Sequence, residues 1–229
     1  MSLKQRLDAV HDRIQQAAVA CGRRPDEVRL VAVSKTMPTE TVLTAIEAGA
    51  RILGENYIQE ARGKIEALVD HDVDWHFIGH LQSNKAKYAV RLFDLIHSVD
   101  SPKLARELNR QAARTGKIQQ ILVQVNVAQE GSKSGVHAET LMDLVGVISE
   151  LPNLSLKGLM TMPPYFNAPE KVRPFFAELR RLSERVARSR VANVVMQELS
   201  MGMTGDFEAA IAEGATLVRV GTAIFGERQ

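Results

Sequence analysis

The sequence predicts an α/β chain closed into a (β/α)8 barrel of the TIM type, with an extra helix at the N-terminus. Three observations carry this. Short apolar runs alternate with amphipathic stretches from end to end, the pattern of a parallel sheet. The runs number eight, which favours a closed barrel over an open doubly wound sheet. The 229 residues contain no linker, low-complexity tract or internal repeat, so they read as one domain over 1–229.

The elements follow in order. Residues 2–20 carry the apolar stripe Leu3, Leu7, Val10, Ile14, an amphipathic helix ahead of the first strand. This helix is expected to cover either an end of the barrel or the flank left by a minimal last helix. Cys21 continues the stripe and is expected to be a core thiol. Strands are predicted at Leu30–Ser34, Arg51–Gly54, Trp75–Gly79, Leu95–Val99, Ile121–Val127, Leu156–Met160, Val194–Leu199 and Thr216–Val220. Helices are predicted at Glu40–Ala48, Gln59–Val69, Lys103–Arg114, Glu139–Glu150, Pro174–Ala187 and Phe207–Glu213. Gly49 and Gly214 stand where helix C-termini favour a left-handed residue. Ser101-Pro102 offers an N-cap followed by proline at the first helical position. Only Gly226-Glu227-Arg228-Gln229 follows the eighth strand closely, so the last helix is expected to be minimal or absent.

Composition excludes several classes of function. The net charge is +2, too small for the electrostatic footprint of a nucleic-acid binder. The arginines between Leu179 and Arg188 have helical spacing and read as a solvated face. One cysteine permits no internal disulfide and suits a reducing cytoplasm. No run approaches the length of a membrane span, and the first residues lead directly into a helix and not into a signal peptide.

The chemistry starts at Lys35. The run Leu30-Val31-Ala32-Val33-Ser34 reads as a buried strand that Pro38 cannot continue. A lysine at the end of such a strand is costly unless its charge is used or removed. Burial there is expected to lower its pKa and expose a neutral, nucleophilic amine, the group a Schiff base requires. In a barrel, reactive groups gather at the C-terminal ends of the strands, and the loops after strands seven and eight recurrently bind phosphate. Here those loops are Leu199-Ser200-Met201-Gly202-Met203-Thr204 and Arg219-Val220-Gly221-Thr222, with glycines for close backbone approach and hydroxyls to donate. Glycines that serve only tight turns are the alternative. Alternation puts Leu217, Arg219 and Gly221 on one face of strand eight and Val31, Val33 and Lys35 on one face of strand one. Closure makes the two strands neighbours. A lysine and an arginine beside an anion site call for a phosphorylated aldehyde, and pyridoxal phosphate (PLP) has the three matching handles. A salt bridge to Glu198 is the alternative for Arg219. A metal site is not expected: His76 and His80 lie four apart on a strand, with no carboxylate or third histidine at ligand spacing. His97, near Asp94 and Asp100, is expected to pack in the core or rim.

Long segments then resemble one family. They are Ala32-Val33-Ser34-Lys35-Thr36, Gly54-Glu55-Asn56-Tyr57-Ile58-Gln59-Glu60, Trp75 through Lys85, Leu159-Met160, Leu199 through Met203 and Val218 through Gly226. In this order they resemble the pyridoxal phosphate homeostasis protein family over about residues 5–226. That family is similar to the barrel domain of alanine racemase, the type III fold of PLP proteins. The resemblance implies that Lys35 carries the cofactor as an internal aldimine and that Arg219 faces the pyridine nitrogen. It implies that Ser200, Gly221 and Thr222 hold the phosphate, and that Asn56 and Met160 line the ring pocket. Thr204 stands where the family pattern ends in serine, with the hydroxyl kept. His80 stands where many members have proline, with no role assigned. Lys133, in Gly131-Ser132-Lys133-Ser134-Gly135, is weighed as a second, transient aldimine site against a solvent-exposed loop lysine.

An arginine at the pyridine nitrogen supplies no proton to the ring, which stays a weak electron sink. Racemases of this fold compensate with two bases, the lysine and a tyrosine from a second, β-rich domain. That domain is expected to be missing here, and of the tyrosines only Tyr57 and Tyr165 fall near the barrel mouth. The expectation is a non-catalytic cytoplasmic protein, with no catalytic residues, that stores PLP and transfers it to apo-enzymes, as a monomer. The alternatives are a PLP-dependent amino-acid racemase and a cofactor-free Schiff-base aldolase.

Overall fold

The computed structural model describes residues 1–128, 134–164, 166 and 168–226. Lys133 and Tyr165 lie outside the described residues.

Among the described residues, eight parallel strands close in the order β1-β2-β3-β4-β5-β6-β7-β8. They are β1 (Arg29–Val33), β2 (Ile52–Glu55), β3 (Asp74–Phe77), β4 (Leu95–Val99), β5 (Gln119–Gln124), β6 (Leu154–Met160), β7 (Val194–Ser200) and β8 (Leu217–Val220). Closure is made by β1 on β8, with Val31 opposite Arg219. The helices are α1 (Leu3–Ala20), α2 (Thr39–Glu47), α3 (Ile58–Ala67), α4 (Ala86–Leu92), α5 (Pro102–Thr115), α6 (Leu141–Ser149), α7 (Arg173–Ser189), α8 (Phe207–Ala212) and the single turn α9 (Thr222–Phe225). No described helix is long and apolar enough to cross a membrane.

Local chemistry explains the ends. Ser2 and Gln5 form a reciprocal capping box on α1. Ser101 caps α5 through the Leu104 N–H, with Pro102 in its first turn. Gly49 and Gly214 take φ of +114° and +100° just past α2 and α8, conformations that cost other residues strain.

The last helix is one turn, and α1 fills the flank it leaves. It packs against α8 and α9; Arg6 Nε donates to the Ile224 carbonyl at 2.6 Å, and Arg13 pairs with Glu208 at 2.6 Å. The same packing corrects the expectation for Cys21. The buried stripe of α1 is Leu7, Val10, Ile14 and Ala18. The helix ends at Ala20, so Cys21 falls on the C-cap and is exposed.

Two apolar layers hold the molecule. One lies between the sheet and the helices and includes Phe77, Phe93, Phe176 and Phe207. The other fills the barrel with Val31, Ile52, Leu95, Leu122, Met160 and Leu217. Gly158 is required where β6 meets β7: a Cβ there would stand 1.8 Å from the Glu198 carbonyl oxygen.

Candidate functional site

One cleft collects four of the residues singled out from the sequence. Lys35, Arg219, Gly221 and Thr222 line it, together with Val33, Thr204, Gly205, Asp206 and Phe166. The fold explains the convergence. Lys35 follows β1 by two residues, and Arg219 lies on β8, which pairs with β1. Thr204 and Gly205 come from the loop after β7, at the tip of a turn in which Met203 N–H donates to Asp206 Oδ1 at 2.6 Å. Gly221 and Thr222 open α9, whose first N–H groups have no partner in their own helix.

Arg219 is 4 % exposed. Its Nη1 donates to Ser200 Oγ at 2.6 Å and its Nη2 to the Thr161 carbonyl at 2.9 Å. Both acceptors are neutral. The carboxylate of Glu198 instead serves Arg29 at 2.5 Å and the Thr216 hydroxyl at 2.6 Å. Burial pushes the Arg219 pKa down to about 10, against a smaller opposing pull from Asp206, so the guanidinium stays charged at neutral pH. A buried cation bonded only to neutral groups is costly, and the guanidinium N–H groups not used in these two bonds are left for a ligand acceptor.

Behind Arg219 runs a polar chain that crosses the barrel. Ser200 Oγ is 2.9 Å from His97 Nδ1, and His97 Nε2 is 3.0 Å from His76 Nδ1. Strands β4 and β7 are not neighbours, so the His97–Ser200 contact spans the interior. Burial, with Arg29 nearby, drops His76 to about 3. Burial and the adjacent His76, Arg219 and Arg29 hold His97 well below the usual imidazole range. Both rings are neutral at pH 7.

The other site residues expected from the sequence stand apart from the cleft wall. Ser200 is fully buried and its hydroxyl is engaged in this chain; the hydroxyl residues on the wall are Thr204 and Thr222. Met160 belongs to the apolar layer inside the barrel. Asn56 follows β2, two residues after Gly54, which is opposite Val33. Its Oδ1 is buried with no hydrogen-bond partner among the described residues. Glycine at 202 is required for packing, since a Cβ there would meet Ala210 Cβ at 2.6 Å. His80 lies at the mouth with Nδ1 3.4 Å from Ser134 Oγ. The His76–His97 chain and Phe166 were not anticipated. Alternation along β3 and β4 was the one available signal, because it places His76 and His97 on the face of Leu95 and Asp74.

These residues fit a phosphorylated aldehyde: a lysine, a buried guanidinium without an anionic hydrogen-bond partner among the described residues, and two open loops with glycine. The fold and cleft define a barrel of the alanine racemase type, and the family model of the alanine racemase N-terminal domain matches residues 5–229. A pyridoxal phosphate homeostasis protein of Aquifex aeolicus is 46% identical over 229 residues, covering all of both chains. The solved structure of PipY from Synechococcus elongatus PCC7942, with PLP bound, superposes with a TM-score of 0.86 at 35% identity, over 98% of this chain and 100% of that one. An alanine racemase of Clostridium difficile matches at a TM-score of 0.74 but 14% identity, over 99% of this chain and 56% of that one; this likeness is one of fold. The chain belongs to the pyridoxal phosphate homeostasis protein family.

Proposed function

We propose that this protein binds pyridoxal 5'-phosphate in the Lys35–Arg219 cleft and takes part in intracellular PLP homeostasis, storing the cofactor and handing it over without turning over a substrate. The observation that carries the reading is the convergence of Lys35 with a buried Arg219 whose hydrogen-bond acceptors are both neutral. PLP brings a reactive aldehyde at one end and a phosphate at the other. Lys35 is the residue that bonds the aldehyde carbon, Arg219 faces the ring nitrogen, and Gly221 and Thr222 hold the phosphate, with Thr204 beside them. Asn56, after β2, lines the ring pocket. Ser200 and Met160 act from behind, one fixing Arg219 and the other filling the barrel floor.

The carrier reading is supported by the name of the Aquifex relative, which matches the whole chain; the likeness to alanine racemase is one of fold alone. As a carrier, the protein works as a single barrel unit in the cytoplasm, as a monomer, with apo forms of PLP enzymes as acceptors. Incubating PLP-loaded protein with single-enantiomer amino acids in deuterated water tests the absence of catalysis. No α-proton exchange above the rate of free PLP is expected; rapid exchange that depends on Lys35 would make the protein an enzyme.

A further inference from the structure

We propose that Lys64, which does not line the cleft, positions Lys35 for bond formation by clamping the backbone on both sides of it. This inference rests on the reading of Lys35 as the residue that bonds the aldehyde.

The last sheet hydrogen bond before Lys35 runs from Ser34 N–H to the Gly54 carbonyl at 3.0 Å. Beyond it, sheet pairing no longer fixes the backbone. A turn takes over: Met37 N–H donates to the Ser34 carbonyl at 3.1 Å, which encloses Lys35 and Thr36. Thr36 has φ of +66°. Glycine or asparagine normally holds the third place of a turn with positive φ, and a β-branched residue there is an outlier. Such a conformation persists only where its surroundings over-determine it.

Lys64 supplies that constraint from α3. Its ammonium is 4 % exposed and makes three bonds, to the Ser34 carbonyl at 2.7 Å, to Glu55 Oε1 at 2.7 Å and to Glu60 Oε1 at 2.5 Å. Glu55 Oε1 also accepts from Ser34 Oγ at 2.7 Å. Glu60 Oε1 accepts the Thr36 N–H. The residue before Lys35 is therefore tied directly to one buried cation, and the residue after it is tied to that cation through one carboxylate. The arrangement is poor as simple stabilisation. Glu55 Oε2 is buried with no partner among the described residues, and a buried ion cluster generally holds a fold no better than apolar side chains of the same volume. Its geometry is spent on the backbone at 34–36.

Positioning matters because the bond is demanding. In its neutral form the Lys35 amine adds through Nζ to the aldehyde carbon, and the carbonyl oxygen departs as water with the two amine protons. Attack requires a defined approach of Nζ, and small displacements cost large factors in rate.

The test uses the full chain with Lys64→Met, and separately Glu60→Ala, whose site is partly exposed. The readouts are the rate at which the Lys35-dependent visible band develops with added PLP, amide hydrogen exchange at Thr36, and the thermal midpoint. Both variants are expected to slow band formation at least tenfold and to raise Thr36 exchange while far-ultraviolet circular dichroism stays native. Band formation within twofold of wild type in either folded variant overturns the proposal; where Lys64→Met does not fold, Glu60→Ala decides it alone. A wild-type protein that forms no Lys35-dependent band defeats both this inference and the binding reading. A normal wild type with unaffected variants defeats only the clamp.

Discussion

Arg219 Nη1 lies 2.6 Å from Ser200 Oγ, and the direction of that bond orders the polar chain behind it. The guanidinium can only donate, so the Ser200 oxygen accepts; among the described residues the one other partner of that hydroxyl is His97 Nδ1, 2.9 Å away, and giving it the hydroxyl proton satisfies both buried groups. His97 then carries its hydrogen on Nε2 and donates to His76 Nδ1 at 3.0 Å. One fixed cation thereby sets a hydroxyl rotor and two imidazole tautomers. Removing Ser200 leaves a guanidinium N–H and a ring nitrogen unsatisfied in the interior. An unpaired buried group costs about 1–3 kcal/mol. Ser200→Ala is therefore expected to lower unfolding free energy by about 2 kcal/mol or more in urea titration, and to weaken PLP binding because Arg219 loses its orientation.

The histidine pair sets an acid limit. Both imidazoles have folded pKa values below the ordinary 6.5, His76 at about 3. Above 6.5 neither state takes up these protons and the pair carries no penalty. As pH falls below 6.5 the unfolded chain binds two protons that the folded barrel refuses, so stability is lost down to about pH 3, where His76 itself titrates. The slope is about 1.4 kcal/mol per pH unit for each ring. Glu55 and Asp74, both raised chiefly by burial, act in the opposite sense, because their folded forms take up protons first. Urea midpoints are expected to fall steadily from pH 6.5 to 5. His97→Gln is expected to reduce that slope, and an unchanged slope would contradict neutral rings.

Two glycines give opposite expectations for the same substitution. Gly158→Ala forces a methyl to 1.8 Å from the Glu198 carbonyl, against backbone that pairs β6 with β7. A loss of about 3 kcal/mol or more is expected. Gly146 lies inside α6 with nothing within 4 Å of its would-be Cβ. Gly146→Ala is expected to gain about 0.5–1 kcal/mol from helix propensity. Thermal melts of the two proteins check both signs.

The barrel was legible because each strand is a β-branched or apolar run closed by glycine, proline or a polar end. Leu95–Val99 matches the structure at both ends, and the other strands shift by one to three residues. Helix α4, Ala86–Leu92, escaped notice: it is seven residues long, has no side-chain cap and opens in a lysine-rich segment. The Cys21 expectation failed because heptad spacing does not say where a helix ends. In the cleft, Lys35 and Arg219 could be joined because closing the barrel makes their strands neighbours. The His97–Ser200 contact could not, since 103 residues and the full width of the barrel separate its partners. Ser200 ends β7, and the bond its hydroxyl accepts from Arg219 could not be read from its place in a motif.

The binding claim meets its most direct test in a visible absorption spectrum of the purified protein titrated with PLP, recorded beside Lys35→Ala. The account predicts a saturable visible band in the wild type, fixed to the Lys35 peptide by borohydride reduction, and no such band in the variant. An identical band in Lys35→Ala, or label recovered on another lysine alone, would contradict it.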